Sequence, residues 1–213
     1  MAARRWLANA RGATRLQLKR WTSVTLPYRP MVGGPEGLDR EYAEGRWDYL
    51  AGDGELPRFG VVAAYCHRFA PAQGILEIGC GEGLLAERLD PSRYSHFHGV
   101  DISRAAVLRA QARHRPRASF STADAASYEP HGQFEVIVFN EVLEYLADPA
   151  ATVRRYERWL APGGVFIVSQ FVGVDTLRTW RIWRRLERTY RRTAGARVSA
   201  SRRHRWDVRI LRP

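Results

Sequence analysis

The segment at residues 75–83, with the sequence ILEIGCGEG, constrains the fold of this chain more than any other. It predicts a short buried strand, then a glycine-rich turn, then a helix that opens at Leu84. Glycine has no Cβ and tolerates a positive φ, so this turn lets backbone N–H groups and a helix N-terminus approach a ligand closely. The spacing excludes the dinucleotide fingerprint G-x-G-x-x-G, because Leu84 stands where its third glycine would be.

Further strand and helix signals follow this turn in a regular order. Residues 99–103 predict an apolar strand that ends in Asp101, and an acid at this point of a nucleotide-binding α/β unit can accept hydrogen bonds from ribose hydroxyls. Ser103 suits the N-cap of a helix over residues 104–114. Later strands are predicted at residues 119–123, 134–140 and 165–170, the last after the helix-closing sequence APGG at 161–164. Alternating strands and helices predict a parallel sheet covered on both faces.

The form E-x-G-x-G-x-G, together with the order of these signals from residue 75 to about 171, resembles the class I S-adenosylmethionine (SAM) methyltransferases. The resemblance implies an α/β, Rossmann-like fold with a seven-stranded, mostly parallel sheet, a C-terminal antiparallel hairpin and helices on both faces. It also implies SAM as cofactor, with an acid at position 124 near the adenine amino group and the transferred methyl at the end of the fourth strand. The cofactor-binding residues that we expect are Glu77, Gly79, Cys80, Gly81, Gly83, Asp101, Ile102, Asp124, Ala125 and Asn140.

Candidate catalytic residues follow the fourth predicted strand. Methyl transfer is an in-line displacement, so holding donor and acceptor close and aligned supplies much of the catalysis. A base is needed only where the acceptor is a hydroxyl, since an amine must merely arrive neutral. Asn140 is placed to bond groups near the methyl, and Glu141, Glu144 and Tyr145 fall at i, i+3 and i+4 of a helical turn. The alternative is that a helix simply begins here and its acids favour the N-terminal dipole.

Two short segments resemble particular branches of the family. The sequence NEVLEYLADP at residues 140–149, with YAEGRWDYL at 42–50, resembles the nodulation S protein and the ubiquinone–menaquinone methyltransferases. That likeness implies methylation of an O or N atom of a small molecule, such as a sugar, saccharide or secondary metabolite. Small-RNA 2′-O-methyltransferases have E-x-x-E-H, where this chain has Tyr145 instead of a metal-binding histidine. RNA methylation, or a non-catalytic SAM-binding partner or membrane-surface protein, remains an alternative.

Charge divides the chain into basic ends and a mildly acidic middle. Of 34 basic and 22 acidic residues, residues 1–35 carry seven basic and no acidic ones, and residues 171–213 carry 13 basic and three acidic ones. Such ends would attract phosphate-bearing or anionic partners. At 213 residues and 45% hydrophobic composition, we expect a basic N-terminal segment, residues 1–35, and one globular methyltransferase domain, residues 36–213.

The N-terminal segment has the periodicity of a basic amphipathic helix. Its two faces comprise Trp6, Leu7, Ala10, Thr14, Gln17, Leu18, Trp21 and Val24 on one side, and Arg4, Arg11, Arg15 and Lys19 on the other. It could dock as a lid over the cofactor, lie on an anionic membrane or partner surface, or be a disordered or targeting segment. The residues leave these three alternatives open.

A second amphipathic helix is predicted from Thr176 to about Tyr190, with Asp175 as N-cap. Its apolar face is predicted to comprise Trp180, Ile182, Trp183, Leu186 and Tyr190, and its basic face Arg178, Arg181, Arg184, Arg185, Arg188, Arg191 and Arg192. Strands at residues 196–201 and 205–211 complete the expected hairpin.

The remaining features concern specificity, metals and location. Residues 28–60, 170–175 and 199–205 are expected to set acceptor specificity, and Tyr42, Trp47 and Tyr49 either cover the cofactor's sulfonium or only pack.

His96 and His98 share one side of a strand, but no further ligands stand nearby in sequence, so we expect a metal-free protein. Two cysteines outside a C-x-x-C pair, and no apolar run of membrane-spanning length, favour a cytoplasmic protein.

Overall fold

The computed structural model describes residues 33–70, 72, 74–172, 176–202 and 204–213. Within these residues the backbone forms one sheet of seven strands in the order β3-β2-β1-β4-β5-β7-β6. The strands are β1 (Ile75–Ile78), β2 (Phe97–Asp101), β3 (Ala118–Thr122), β4 (Phe134–Asn140), β5 (Leu160–Phe171), β6 (Arg191–Ser199) and β7 (Arg205–Arg212).

The first five strands are parallel, and β7 and β6 add an antiparallel edge. The α-helices of the described residues are α1 (Gly34–Ala43), α2 (Leu56–Phe69), α3 (Leu84–Glu87), α4 (Arg104–Ala112), α5 (Pro149–Tyr156) and α6 (Thr176–Leu186). The predicted fold class, mostly parallel with a C-terminal antiparallel hairpin, is confirmed.

Alternate residues of β4 divide the hydrophobic core between the two faces of the sheet. Val136 and Val138 pack in one cluster with Phe59 of α2. Ile137 and Phe139 point the other way and pack in a second cluster, which contains residues of α5 and α6. Successive side chains of a strand alternate between faces, so a strand of continuous apolar sequence can support a helix layer on each side. The expected helices on both faces are therefore present.

Several predicted boundaries differ from the structure. The helix predicted to reach His114 ends at Ala112, and the one predicted to reach Tyr190 ends at Leu186. Backbone N–H groups of Thr189 and Tyr190 both bond to the Leu186 carbonyl, which turns the chain out of the helix. The predicted strand at 196–201 instead begins at Arg191.

The predicted faces of α6 were partly wrong. Arg191 and Arg192 belong to β6, so they do not extend the basic face of the helix. Trp180 was assigned to the apolar face, yet it is 52% exposed and carries the Arg184 guanidinium 5.0 Å above its ring. Leu177, three residues earlier, is also exposed, whereas Ile182, Trp183 and Leu186 are buried as expected. The outer face of α6 is thus both apolar and basic.

Three predictions concern residues at the margins of this description. The amphipathic N-terminal segment, except for its last residues from Gly33 onward, and the N-cap Asp175 lie outside the described residues, so both stay predictions. Helix α1 begins at Gly34, two residues before the predicted start of the domain at residue 36. Among the described helices, none has the length and apolar character needed to cross a membrane.

Candidate functional site

A cavity of about 690 Å³ opens at the carboxyl end of the parallel strands. It lies where the strand order reverses, since β1 is paired with β2 on one side and with β4 on the other. Crevices at this switch point are the usual ligand sites of open α/β sheets. Glu77 of β1 and Asn140 of β4 both line the cavity, together with residues from α1, α2 and the C-terminal hairpin.

The glycine-rich turn after β1 forms the floor of this cavity. Gly79 and Gly81 have φ of 75° and 52°, in the left-handed region that side chains disfavour. A Cβ on Gly79 would lie 2.5 Å from Cγ2 of Val142, and one on Gly81 would lie 2.9 Å from the Tyr42 hydroxyl. The turn therefore requires glycine both for its backbone and for the close approach of its neighbours.

The carboxylate of Asp101 is fixed by the two loops that follow β1 and β2. Its Oδ2 accepts a hydrogen bond of 2.8 Å from the Gly81 N–H, and its Oδ1 accepts one of 2.8 Å from the Ser103 N–H. Burial raises the pKa of this carboxyl, against the lowering effect of these backbone donors. Each oxygen keeps a second lone pair, so the group can still accept bonds from a ligand diol.

Glu77 is a second carboxyl at the cavity, and it is only 2% exposed. Its Oε1 accepts a long hydrogen bond of 3.5 Å from the Asn140 amide, while its buried Oε2 has no hydrogen-bond partner. Burial raises the pKa of Glu77 to about 8, which Asn140 and the charge of Arg58 oppose. A buried acceptor without a partner is costly unless a ligand supplies the donor.

Arg58 and Glu55 belong to the site although the sequence analysis did not single them out. Arg58 is 2% exposed, and its Nε and Nη2 bond Oε2 of Glu55 at 3.0 and 2.9 Å, while Nη1 donates to Oδ1 of Asn140. Three of the five guanidinium N–H groups are used in this way, which leaves two for a ligand. The only local signal was a charged i, i+3 pair at the start of helix α2, just before the apolar run at residues 59–63.

The segment after β4 differs from the predicted helical turn. Only Leu143–Tyr145 form a short 3₁₀ turn, and Glu141 stands before it with a left-handed φ of 62°. The prediction that Glu141, Glu144 and Tyr145 converge at i, i+3 and i+4 is therefore wrong. Glu141 and Tyr145 line the cavity, whereas Glu144 is not among its lining residues.

The carboxylate of Glu141 bridges the ends of two strands. Its Oε1 accepts 2.8 Å from the Ser169 hydroxyl, and its Oε2 accepts 2.9 Å from the Phe171 N–H. These bonds hold the end of β5 beside the end of β4. They fix the carboxylate against β5, so its geometry suits a positioning role.

Aromatic side chains form the wall above the glycine turn. The rings of Tyr42 and Trp47 stack with centroids 5.7 Å apart, and those of Trp47 and Tyr49 with centroids 6.3 Å apart. All three predicted aromatic residues line the cavity. Whether they face a bound cation stays a prediction.

Of the predicted cofactor residues, all but Gly83 line the cavity. Gly83 has φ of 74° and begins α3, and a Cβ there would meet the Phe120 ring at 2.9 Å. Its contribution is therefore to pack α3 against the sheet. Asp124, Ile102 and Ala125 line the part of the cavity beyond β2 and β3.

The two histidines considered for a metal have other partners. Nδ1 of His98 lies 2.8 Å from the Ser119 hydroxyl and Nε2 lies 2.9 Å from the Tyr128 hydroxyl. His96 packs against the Phe134 ring. Within the described part of the chain, no group of three or more His, Cys, Asp or Glu residues could hold a metal ion.

Comparison with known proteins gives a family match over most of the chain. The family model described as a methyltransferase domain matches residues 55–206. A ubiquinone biosynthesis O-methyltransferase of Pseudomonas aeruginosa is 33% identical over 101 residues, which are 45% of this chain and 43% of that protein. A trans-aconitate 2-methyltransferase of Methylobacterium radiotolerans is 38% identical over 98 residues, 44% of this chain and 36% of that protein. The chain thus spans less than half the length of these relatives.

Solved structures share the fold at low sequence identity. The N-methyltransferase NodS from Bradyrhizobium japonicum, in complex with S-adenosyl-L-homocysteine (SAH), superposes with a TM-score of 0.70 at 23% identity, over 84% of this chain and 98% of that one. A magnesium protoporphyrin IX methyltransferase from Synechocystis with bound SAH gives a TM-score of 0.64 at 18% identity, over 81% of this chain and 95% of that one. At such identities the likeness concerns the fold.

Proposed function

The chain belongs to the methyltransferase-domain family, and we propose that it transfers a methyl group from SAM to an O or N atom of a small molecule. The acceptor class that we propose is a sugar, a saccharide or a secondary metabolite. This proposal is supported by the relatives, which are named for small-molecule acceptors, and by the chemistry of the cavity.

The observation that carries the proposal is a pair of carboxyls, the buried Glu77 and the half-buried Asp101, that line one cavity on either side of the glycine turn. SAM carries a ribose diol and, at its other end, an ammonium and a carboxylate. The spare lone pairs of Asp101 fit the diol. The unpartnered Oε2 of Glu77 fits the ammonium, and the two unused N–H groups of Arg58 fit the carboxylate.

The adenine end and the methyl end follow from this orientation. Adenine would lie beyond β2 and β3, between Ile102 and Ala125, with the Asp124 carboxylate near its amino group. The sulfonium would then lie between the glycine turn and Asn140, under the stacked rings of Tyr42 and Trp47. Their ring faces would stabilise the positive charge.

In this proposal the protein side chains hold the donor and the acceptor in place. SAM supplies an activated methyl group when it is bound. Asn140 is held by Arg58 on one side and Glu77 on the other, so its amide cannot rotate away from the methyl position. Glu141 keeps the end of β5 beside it. Fixing donor and acceptor at in-line distance is the largest contribution that such a site makes.

Calorimetric titration of SAM and SAH tests the proposal. We expect micromolar binding of both, and at least tenfold weaker binding of SAM to Glu77→Gln, because the Glu77 carboxyl can release its proton and pair with the ammonium, which an amide cannot do. Glu36→Gln is the matched control, since Glu36 is exposed on α1. Failure of the parent protein to bind either compound would refute the proposed function.

A further inference from the structure

Three aromatic side chains form a corner of the cavity on the side of β5 and β7. Phe171 is the last residue of β5 and pairs in register with Trp206 of β7. Their ring centroids are 5.8 Å apart with an angle of 67° between the planes. His204, in the loop between β6 and β7, lies 6.1 Å from the Phe171 ring and 6.4 Å from the Trp206 ring. We call these three residues the aromatic corner, and all of them line the cavity.

The aromatic corner lies on the acceptor side of the methyl position. Asn140 pairs with Ser169, so Phe171 stands two residues farther along β5 on the cavity side. The Arg58 guanidinium, which bonds Asn140, lies 5.9 Å from the Trp206 ring. Asp101 and Asp124, which fit the nucleoside, are on the β2 and β3 side of the sheet. The corner is therefore a part of the cavity that the nucleoside does not need.

His204 offers a proton acceptor in this corner. Its Nδ1 lies 3.3 Å from the Ser201 hydroxyl, whose oxygen also accepts a hydrogen bond of 3.2 Å from the His204 N–H. These bonds orient the imidazole. Among the described residues, Nε2 of His204 has no hydrogen-bond partner. If Nδ1 donates its proton to Ser201, Nε2 carries a lone pair that can accept a proton from a ligand in the corner.

We propose that the aromatic corner is the acceptor subsite, that the acceptor is a ring bearing a hydroxyl group, and that His204 takes the proton of that hydroxyl. This inference rests on the proposed methyl transfer and specifies it as O-methylation. Aromatic rings set edge to face pack well against another ring. A base is needed for a hydroxyl acceptor and not for a neutral amine, so a free imidazole at this place favours oxygen.

The step balances without a further reactant. The hydroxyl oxygen attacks the methyl carbon as its proton passes to Nε2 of His204. A new O–C bond forms, the S–C bond breaks, and its electron pair stays on sulfur. His204 is exposed at the mouth of the cavity, so the imidazolium returns its proton to solvent.

A binding experiment tests the subsite independently of turnover. The protein is loaded with SAH, and the indole N–H signal of Trp206, assigned with Trp206→Phe, is followed by NMR. Catechol and methyl β-D-glucopyranoside serve as aromatic and sugar hydroxyl probes, and benzylamine as the amine. We expect one hydroxyl probe to shift the Trp206 signal. The affinity for that probe, measured from the shift, should be at least fivefold lower in Phe171→Ala. SAH binding without a response of Trp206 to any probe would overturn the subsite but not the cofactor site.

A kinetic experiment tests the role of His204. Transfer of labelled methyl from SAM is measured with the same three probes. For the hydroxyl probe that binds, we expect His204→Ala to lower kcat about 100-fold or more without changing SAH affinity, and added imidazole to restore part of the rate. His131→Ala is the matched control, because His131 is exposed and does not line the cavity. Three outcomes would overturn the proposal: only benzylamine is methylated, no probe is methylated, or His204→Ala methylates a hydroxyl probe at an unchanged rate.

Discussion

The Arg58 guanidinium donates a hydrogen bond to Oδ1 of Asn140 across 82 residues of sequence. Both side chains are buried, so the bond joins α2 to the end of β4 inside the cavity wall. The charge of Arg58 is balanced by Glu55 one turn earlier on the same helix. This arrangement fixes Asn140 beside the position proposed for the methyl and leaves part of the guanidinium for a ligand.

Arg58→Met should destabilise the protein by about 3–5 kcal/mol, because it leaves the buried Glu55 carboxylate without its cation. The double variant Glu55→Gln/Arg58→Met should recover much of that loss. Urea denaturation measures both. Arg185→Met is the control: its pair with Asp148 is exposed and is worth at most about 1 kcal/mol. If Arg58→Met and Arg185→Met lowered the free energy of unfolding equally, the Arg58–Glu55 pair would not be buried in solution.

Glu77 should make stability depend on pH. Burial raises its pKa from 4.5 to about 8, so the folded protein holds a proton that the unfolded chain has released. Its contribution to stability is complete below pH 4.5 and is lost as the pH rises through 8. The glutamine of Glu77→Gln does not titrate, so this variant avoids that loss. Between pH 4.5 and 8, the unfolding free energy of the variant minus that of the parent should therefore increase by roughly 3–5 kcal/mol. Chemical denaturation at pH 4.5 and 8.5 measures this, with Glu36→Gln as control; a constant difference would argue against a buried neutral carboxyl.

Gly79→Ala should cost about 2–4 kcal/mol, because it combines a positive φ with a Cβ 2.5 Å from Val142. Gly54→Ala is the matched control, since nothing lies within 4 Å of its Cβ position. Adding Val142→Ala removes the contact with Cγ2 but leaves Cβ of residue 142 at 2.7 Å, so it should recover only part of the loss. Thermal unfolding of the three variants measures this recovery. No recovery in the double variant would mean that the Cγ2 contact contributes nothing to the loss.

Asp101→Ala should weaken SAM binding at least tenfold, because the carboxylate proposed for the ribose diol is removed. It also removes the acceptor of the Gly81 and Ser103 N–H groups, which shape the glycine turn. Asp101→Asn keeps one acceptor oxygen and should bind SAM with intermediate affinity. Calorimetry measures both, with the exposed Asp53→Ala as control. Unchanged affinity in Asp101→Ala would exclude the ribose assignment.

Removal of Trp183 should destabilise the protein far more than removal of Trp180. Trp183 is 3% exposed and Trp180 is 52% exposed. Trp183→Ala should therefore cost about 3–5 kcal/mol, and Trp180→Ala less than about 1 kcal/mol. Denaturant unfolding measures the difference, and acrylamide should quench the fluorescence of Trp180 more readily. Similar losses from both would mean that the outer face of α6 is covered in solution.

The sheet and the nucleotide side of the cavity were predictable from the sequence because their signals are local. The predicted fourth strand, residues 134–140, has the observed bounds of β4, and Ser103 caps α4 through a 3.1 Å bond from the Ala106 N–H. Apolar runs, caps and glycine positions are read within a few residues. The segment at 141–145 was misjudged for the opposite reason. Its conformation depends on the bonds that Glu141 makes to β5, almost thirty residues away.

The sequence by itself determined the parallel sheet, the glycine turn and the acids at the ends of β1 and β2, because strand periodicity and positive φ are properties of the local chain. Only the tertiary structure brought Arg58, Phe171 and His204 into the same cavity, since no local pattern encodes contacts between α2 and the C-terminal hairpin. It likewise decided that Trp180 is exposed, because which side of a helix is covered depends on where the helix packs. Long-range packing thus selected the Arg58 network and the aromatic corner, while local sequence set the glycine turn and the acids beside it.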